Sequence, residues 1–162
     1  MTTPRKRRLD QPTEPDDDSA SLNLANVAMI EYSSEDAAHP VEHPIDEPTG
    51  PGGSCWAAAQ ADTTEQLVLE FDRPESIGRL VCEVQEVERE RMQEVHVEAS
   101  TDAGRSYHRV VVQEYTFSPG GATLEHEDLR LELHDLTHLR LTIVPNKRGS
   151  GVASLTSLRV FA

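Results

Sequence analysis

His138-Leu139-Arg140-Leu141-Thr142-Ile143-Val144 sends Leu139, Leu141 and Ile143 to one side of an extended chain and Arg140 and Thr142 to the other. A two-residue period of this kind belongs to a strand, whose successive side chains point to opposite faces. The same texture extends upstream. Leu129, Leu131 and Leu133 alternate with Arg130 and Glu132; Val95, Val97 and Ala99 face away from His96 and Glu98; Leu67, Leu69 and Phe71 share a face against Val68 and Glu70. One dry and one wet face per strand is what antiparallel sheets permit.

Short β-branched runs bounded by Gly, Pro, Asp and Ser place strands at 27–33, 65–71, 77–85, 93–100, 107–117, 123–133, 138–144 and 152–161. About eight strands with turn signals between them predict an all-β sandwich or barrel rather than an alternating α/β fold. The competing local reading is a helix over 86–94, whose residues favour that state. Such a helix would be short and nearly all polar, with nothing to pack, so an exposed connection is expected there.

The chain has 162 residues, 36% of them hydrophobic, which suffices for one core and excludes two large domains. Residues 1–25 combine Arg5-Lys6-Arg7-Arg8 with an acidic, proline-containing stretch and offer little to bury. They are expected to form a disordered tail, with one domain over 26–162. Lys plus Arg number 15 against 29 for Asp plus Glu, and the resulting net charge of −14 argues against nucleic acid or an acidic membrane as main partner. No apolar segment follows the basic cluster and no run approaches membrane-spanning length, so neither a secretion signal nor a membrane anchor is expected. Cys55 and Cys82 have no framework spacing and are read as reduced, which makes a cytoplasmic setting the simpler expectation.

Three stretches in order carry a family resemblance. The first is Ser33-Ser34-Glu35-Asp36 with His39-Pro40-Val41-Glu42-His43-Pro44-Ile45-Asp46, followed by Trp56. The second is Val95-His96-Val97-Glu98-Ala99-Ser100-Thr101-Asp102-Ala103-Gly104-Arg105-Ser106-Tyr107, a strand, a Ser-x-Asp-x-Gly turn and an aromatic. The third runs from Thr137 to Pro145 and closes with Ser157-Leu158-Arg159-Val160-Phe161. Together they resemble the discoidin family, the coagulation-factor C-type domains, over about residues 26–162.

That resemblance implies an antiparallel jelly-roll β-sandwich of galactose-binding type, with Trp56 in the core and a carbohydrate ligand as the commonest role. Intracellular relatives of the fold hold protein partners instead, and a scaffold or subunit role without a sugar is the alternative. Many family members hold a structural calcium. Here Asp46 matches the early aspartate and Thr49 offers a hydroxyl, while Glu47 replaces the turn glycine and Ser157 stands where a glutamate would be. Asp46 and Thr49 are thus the calcium candidates; no other cofactor is expected.

The chemistry-bearing patterns are sparse. His39 with His43 and His134 with His138 lack third and fourth ligands at recognisable spacing and read as exposed turn histidines. There is no Gly-x-Ser-x-Gly elbow and no Cys–His pairing, and the glycine pairs lack the lysine of a phosphate loop. The chain is therefore read as a non-enzyme that recognises a glycan or a protein.

Binding is expected on loops 47–54, 86–91, 118–121 and 146–151. The first, second and last are expected to gather at one rim by resemblance. Arg89, Arg91, Asn146, Lys147 and Arg148 are the ligand-binding candidates, because guanidinium and amide groups suit sugar hydroxyls and carboxylates.

Overall fold

The computed structural model describes residues 21–46 and 54–162. A single helical turn, α1 (Leu24–Val27), leads into β1 (Ala28–Tyr32), and a second turn, α2 (His43–Asp46), precedes β2 (Trp56–Ala61). The remaining strands are β3 (Glu65–Gln85), β4 (Arg91–Ser100), β5 (His108–Phe117), β6 (Leu124–Gly149), β7 (Val152–Leu155) and β8 (Ser157–Phe161).

Two of these strands are far longer than their sequence suggests. The expected pairs 65–71 with 77–85, and 123–133 with 138–144, are each one continuous strand that turns a corner. The β3–β6 ladder runs antiparallel from Glu65↔Ile143 to Gln85↔Leu124, with register shifts between Glu70 and Arg79. Asp135, on the opposing side of that corner, has φ 55°. Pro74 has no N–H to give the ladder, so it sits where pairing is already interrupted.

Because both strands bend together, their two arms serve different layers. The first arm of β3 and the second arm of β6 lie in the order β1-β3-β6-β4-β5. The second arm of β3 lies between β8 and the first arm of β6. A separate ribbon pairs β2 with β7, Trp56 opposite Leu155.

The alternation read from sequence is what fills the interior. Leu67, Leu69 and Phe71, Val95, Val97 and Ala99, and Leu139, Leu141 and Ile143 are all buried in one core cluster with Leu80, Val84, Leu158 and Val160. Cys82 of β3 and Tyr115 of β5 meet with Sγ and Oη 3.3 Å apart, a contact between the two layers. Trp56 is fully buried, as expected, and its Nε1–H donates to the carbonyl of Ser34 at 3.0 Å. The chain is an antiparallel β-sandwich.

The folded body also starts earlier than residue 26. The Leu22 N–H donates to the carbonyl of Val160 at 2.8 Å and Leu24 is buried. This segment thus docks beside β8, and the expected boundary moves toward the N-terminus.

Candidate functional site

The connection 86–90 joins β3 to β4, residues 118–123 join β5 to β6, and residues 150–151 join β6 to β7; all three lie at one end of the sandwich. Hydrogen bonds tie them together. The Glu86 N–H donates to the carbonyl of Thr123 at 2.8 Å, and Arg91 lies opposite Gly149 in the β4–β6 register. Where 146–151 was expected to be a loop, β6 continues through Gly149, with Arg148 opposite Met92.

Arg91 is not open to a ligand. It is buried, and its guanidinium donates to Glu86 Oε1 at 2.8 Å, Gln93 Oε1 at 2.8 Å, the carbonyl of Pro145 at 3.0 Å and Ser154 Oγ at 3.4 Å. Its cation also stands 5.6 Å from the centre of the Phe117 ring. The reason is strand parity: Arg91 and Gln93 share the face of Val95 and Val97, which points inward. The residue expected to touch ligand instead supports the rim from beneath.

Arg89, Asn146, Lys147 and Arg148 are exposed at this end. Lys147 Nζ lies 3.4 Å from Glu94 Oε2, and Glu94 also engages His96 Nε2. Among the described residues, neither Arg89 nor Arg148 is held in an ion pair or side-chain hydrogen bond. Both are solvated guanidinium groups on a firm base.

Asp62 joins them and was missed from sequence. It occupies the β2–β3 turn at φ 60°, a left-handed conformation that aspartate tolerates better than most residues. Its carboxylate accepts from the Gly151 N–H at 3.0 Å and the Ser150 hydroxyl at 2.8 Å, and its own N–H donates to the carbonyl of Gly151 at 2.8 Å. The Gly151 N–H first, then the Ser150 hydroxyl, hold this carboxyl below its ordinary range, with Arg89 adding to the effect. A carboxylate beside a free guanidinium is a donor–acceptor pair suited to polyhydroxylated ligands.

Of the seven aromatic residues, Trp56, Phe71, Tyr115, Phe117 and Phe161 are buried. Tyr32, 47% exposed, ends β1 opposite Leu67, and Tyr107 precedes β5 with Arg140 stacked 3.9 Å over its ring. The calcium expectation falls largely outside the described residues: Asp46 ends α2, and Thr49 lies in the undescribed segment, as does most of the 47–54 loop. Between the layers, the void lined by Leu67, Leu69, Leu141, Leu155 and Leu158 measures about 10 Å³, is apolar, and gives a substrate no room.

No family model matches the sequence, and no curated protein matches it either. Solved structures do. A family 32 carbohydrate-binding module from a family 31 glycoside hydrolase of Clostridium perfringens superposes with TM-score 0.63 at 16% identity, covering 88% of this chain and 94% of that one. Chitosan-binding module 1 of a chitosanase/glucanase from Paenibacillus sp. IK-5 gives 0.60 at 17% identity, covering 86% and 98%. This chain has the discoidin-like jelly-roll fold.

A third jelly roll, the family 32 module of Clostridium perfringens NanJ solved with galactose, matches at TM-score 0.58 and 13% identity over 88% of this chain and 98% of that one. At such identities the likeness establishes the fold alone. The structure thus agrees with the architecture expected from sequence. Among the described residues, no helix of this jelly roll is long and apolar enough to cross a membrane.

Proposed function

We propose that this chain is a non-catalytic carbohydrate-recognition module that meets its glycan at the rim formed by Arg89, Asn146, Lys147, Arg148 and Asp62. The observation that carries the reading is the solvated Arg89 guanidinium acting on the Asp62 carboxylate, with Arg148 exposed at the same end, on a fold shared along almost its whole length with carbohydrate-binding modules. The buried Arg91 network keeps the rim in one arrangement before ligand arrives, which lowers the ordering cost of binding.

With five of the seven aromatic rings buried, recognition rests mainly on hydrogen bonds to sugar hydroxyls. Two charge-assisted bonds at about 2 kcal/mol each give a dissociation constant on the order of 1 mM. Useful avidity at that strength comes from repeated sugars or from attachment to a larger assembly.

A glycan array spanning neutral, acidic and amino sugars, followed by calorimetry on the best hit, tests this. Arg89→Ala and Arg148→Ala should each weaken binding about thirtyfold while the melting midpoint stays within about 2 °C of wild type. An array on which the wild-type protein binds nothing overturns the carbohydrate role.

A further inference from the structure

On the outer face of the five-stranded layer, far from the rim loops, Glu31 of β1, Glu70 of β3 and His138 of β6 converge. Glu70 and His138 are direct cross-strand partners, and Glu70 is also opposite Met29, which places Glu31 diagonally across from it. The three side chains each present a ligand-type atom, and these atoms lie within 4.8 Å of one another. We propose that Glu31, Glu70 and His138 form a binding site for one divalent transition-metal ion, of which zinc is the best chemical fit, stapling the edge strand β1 to the sheet.

Several features support the site besides proximity. The Thr137 hydroxyl gives its only hydrogen to the carbonyl of Ser100 at 3.2 Å, so the 3.0 Å contact between Thr137 Oγ1 and His138 Nδ1 has the imidazole as donor. In the neutral ring Nε2 then keeps its lone pair, the tautomer that a metal-ligating histidine fixes through such an outer contact. Tyr107 packs edge-on against the same imidazole, ring centres 6.5 Å apart, and limits its rotation.

The carboxyl groups of Glu31 and Glu70 approach one another within 4.8 Å. Among the described residues, neither forms an ion pair with Lys or Arg. Arg140, the basic residue two positions along β6 on this face, is committed elsewhere: its Nη2 donates to Glu98 Oε2 at 2.5 Å and its guanidinium covers Tyr107. Two carboxylates sharing a site repel when both are ionised, and a divalent cation removes that repulsion while satisfying both.

The donor set selects the ion. One imidazole and two carboxylates suit zinc and its neighbours, whereas calcium and magnesium prefer all-oxygen shells with more ligands. Tetrahedral zinc with bonds near 2.1 Å sets its ligands roughly 3.4 Å apart, so the group must close by at most about 1.4 Å, within reach of glutamate rotamers. Three protein ligands leave a fourth position for water. Sequence alone gave no hint of this group, because His138 looked ligand-poor until the ladder set two strands beside it.

The test uses chelator-stripped full-length protein titrated with zinc chloride, followed by calorimetry and thermal melts, with cobalt(II) absorbance as a spectroscopic check. One equivalent should bind saturably and raise the melting midpoint by several degrees. Glu70→Gln and His138→Ala should each weaken zinc binding at least tenfold. Glu31→Gln, an isosteric change on the exposed edge strand, should do the same and guards against an unfolded His138→Ala. His126→Ala and His134→Ala, at other histidines, should leave binding unchanged. Absence of saturable binding in the wild type, retention in Glu31→Gln and His138→Ala, or equal loss in His126→Ala would overturn the site.

Discussion

Arg91 Nε stands 2.8 Å from Glu86 Oε1 directly beneath the rim, with only 2% and 15% of the two side chains exposed. This pair joins the start of β4 to the loop preceding it, and through Pro145 and Ser154 it reaches β6 and β7. A buried guanidinium so fully engaged fixes three neighbouring segments relative to one another. Loss of the pair acts on the rim without removing any group a ligand would touch.

Arg91→Met keeps an apolar stem but strips the partners from Glu86, Gln93 and the Pro145 carbonyl. Removing one member of a buried pair costs about 3 kcal/mol, because the other is left desolvated and unpaired. Urea denaturation should show that loss. A cost under about 1 kcal/mol would mean that water replaces the guanidinium without penalty.

Gly149 sits at φ +76°, and a Cβ there would lie 2.7 Å from the Glu90 carbonyl oxygen. Gly149→Ala should therefore lose at least about 1–2 kcal/mol from the left-handed backbone, with the clash added. Gly120 has nothing within 4 Å of its hypothetical Cβ, so Gly120→Ala should fall within about 0.5 kcal/mol of wild type. Equal effects at the two positions would contradict the close β4–β6 approach.

Asp102 organises the β4–β5 turn at the opposite end. The Ser106 hydroxyl, the Ser100 hydroxyl and the Ser106 N–H hold its carboxyl well below the ordinary aspartate range. A folded-state pKa below the unfolded value of about 3.9 means the stabilisation is fully present above pH ~3.9 and is lost as pH falls toward the folded value. Melts of wild type and Asp102→Asn should be separated near neutrality and converge in acid. A gap that does not change with pH would show that the carboxylate charge is irrelevant to the turn.

Burial pushes the Cys82 thiol up to about 11, and the Tyr115 hydroxyl pulls weakly the other way. The thiolate is the reactive form, so in a Cys55→Ser background a disulfide reagent at about pH 8 should leave the native protein unlabelled. One equivalent should react after denaturation. Rapid labelling of the native state would mean that the two layers part at this contact.

The interior was legible because alternation is local. Val95, Val97 and Ala99, or Leu139, Leu141 and Ile143, need no knowledge of their neighbours to declare a dry face. Corners were not legible: Asp72 to Ser76 and His134 to Leu136 look like turns that end strands, whereas the paired bend lets both strands continue into the second layer. Trp56-Ala57-Ala58-Ala59-Gln60-Ala61 gave no strand signal, since alanine is depleted in sheets, and its pairing with β7 is what makes it one.

The rim shows the same division. Arg89, Asn146, Lys147 and Arg148 are exposed, as polar residues expected in a connection between strands should be. Arg91 was misread for want of carrying the Val97–Val95 parity back through Gln93. Asp62 carried no signal, because its partners Ser150 and Gly151 lie far along the chain.

Carbohydrate recognition at this rim is tested most directly by amide N–H correlation spectra recorded while the best array glycan, or galactose by default, is titrated to saturation. The expected result is a saturable set of shifts confined to Asp62, Arg89 and residues 146–151, whose midpoint moves to about thirtyfold higher glycan concentration in Arg148→Ala. Shifts clustered instead around Thr101 to Tyr107, or spectra unmoved by every glycan tried, would contradict it.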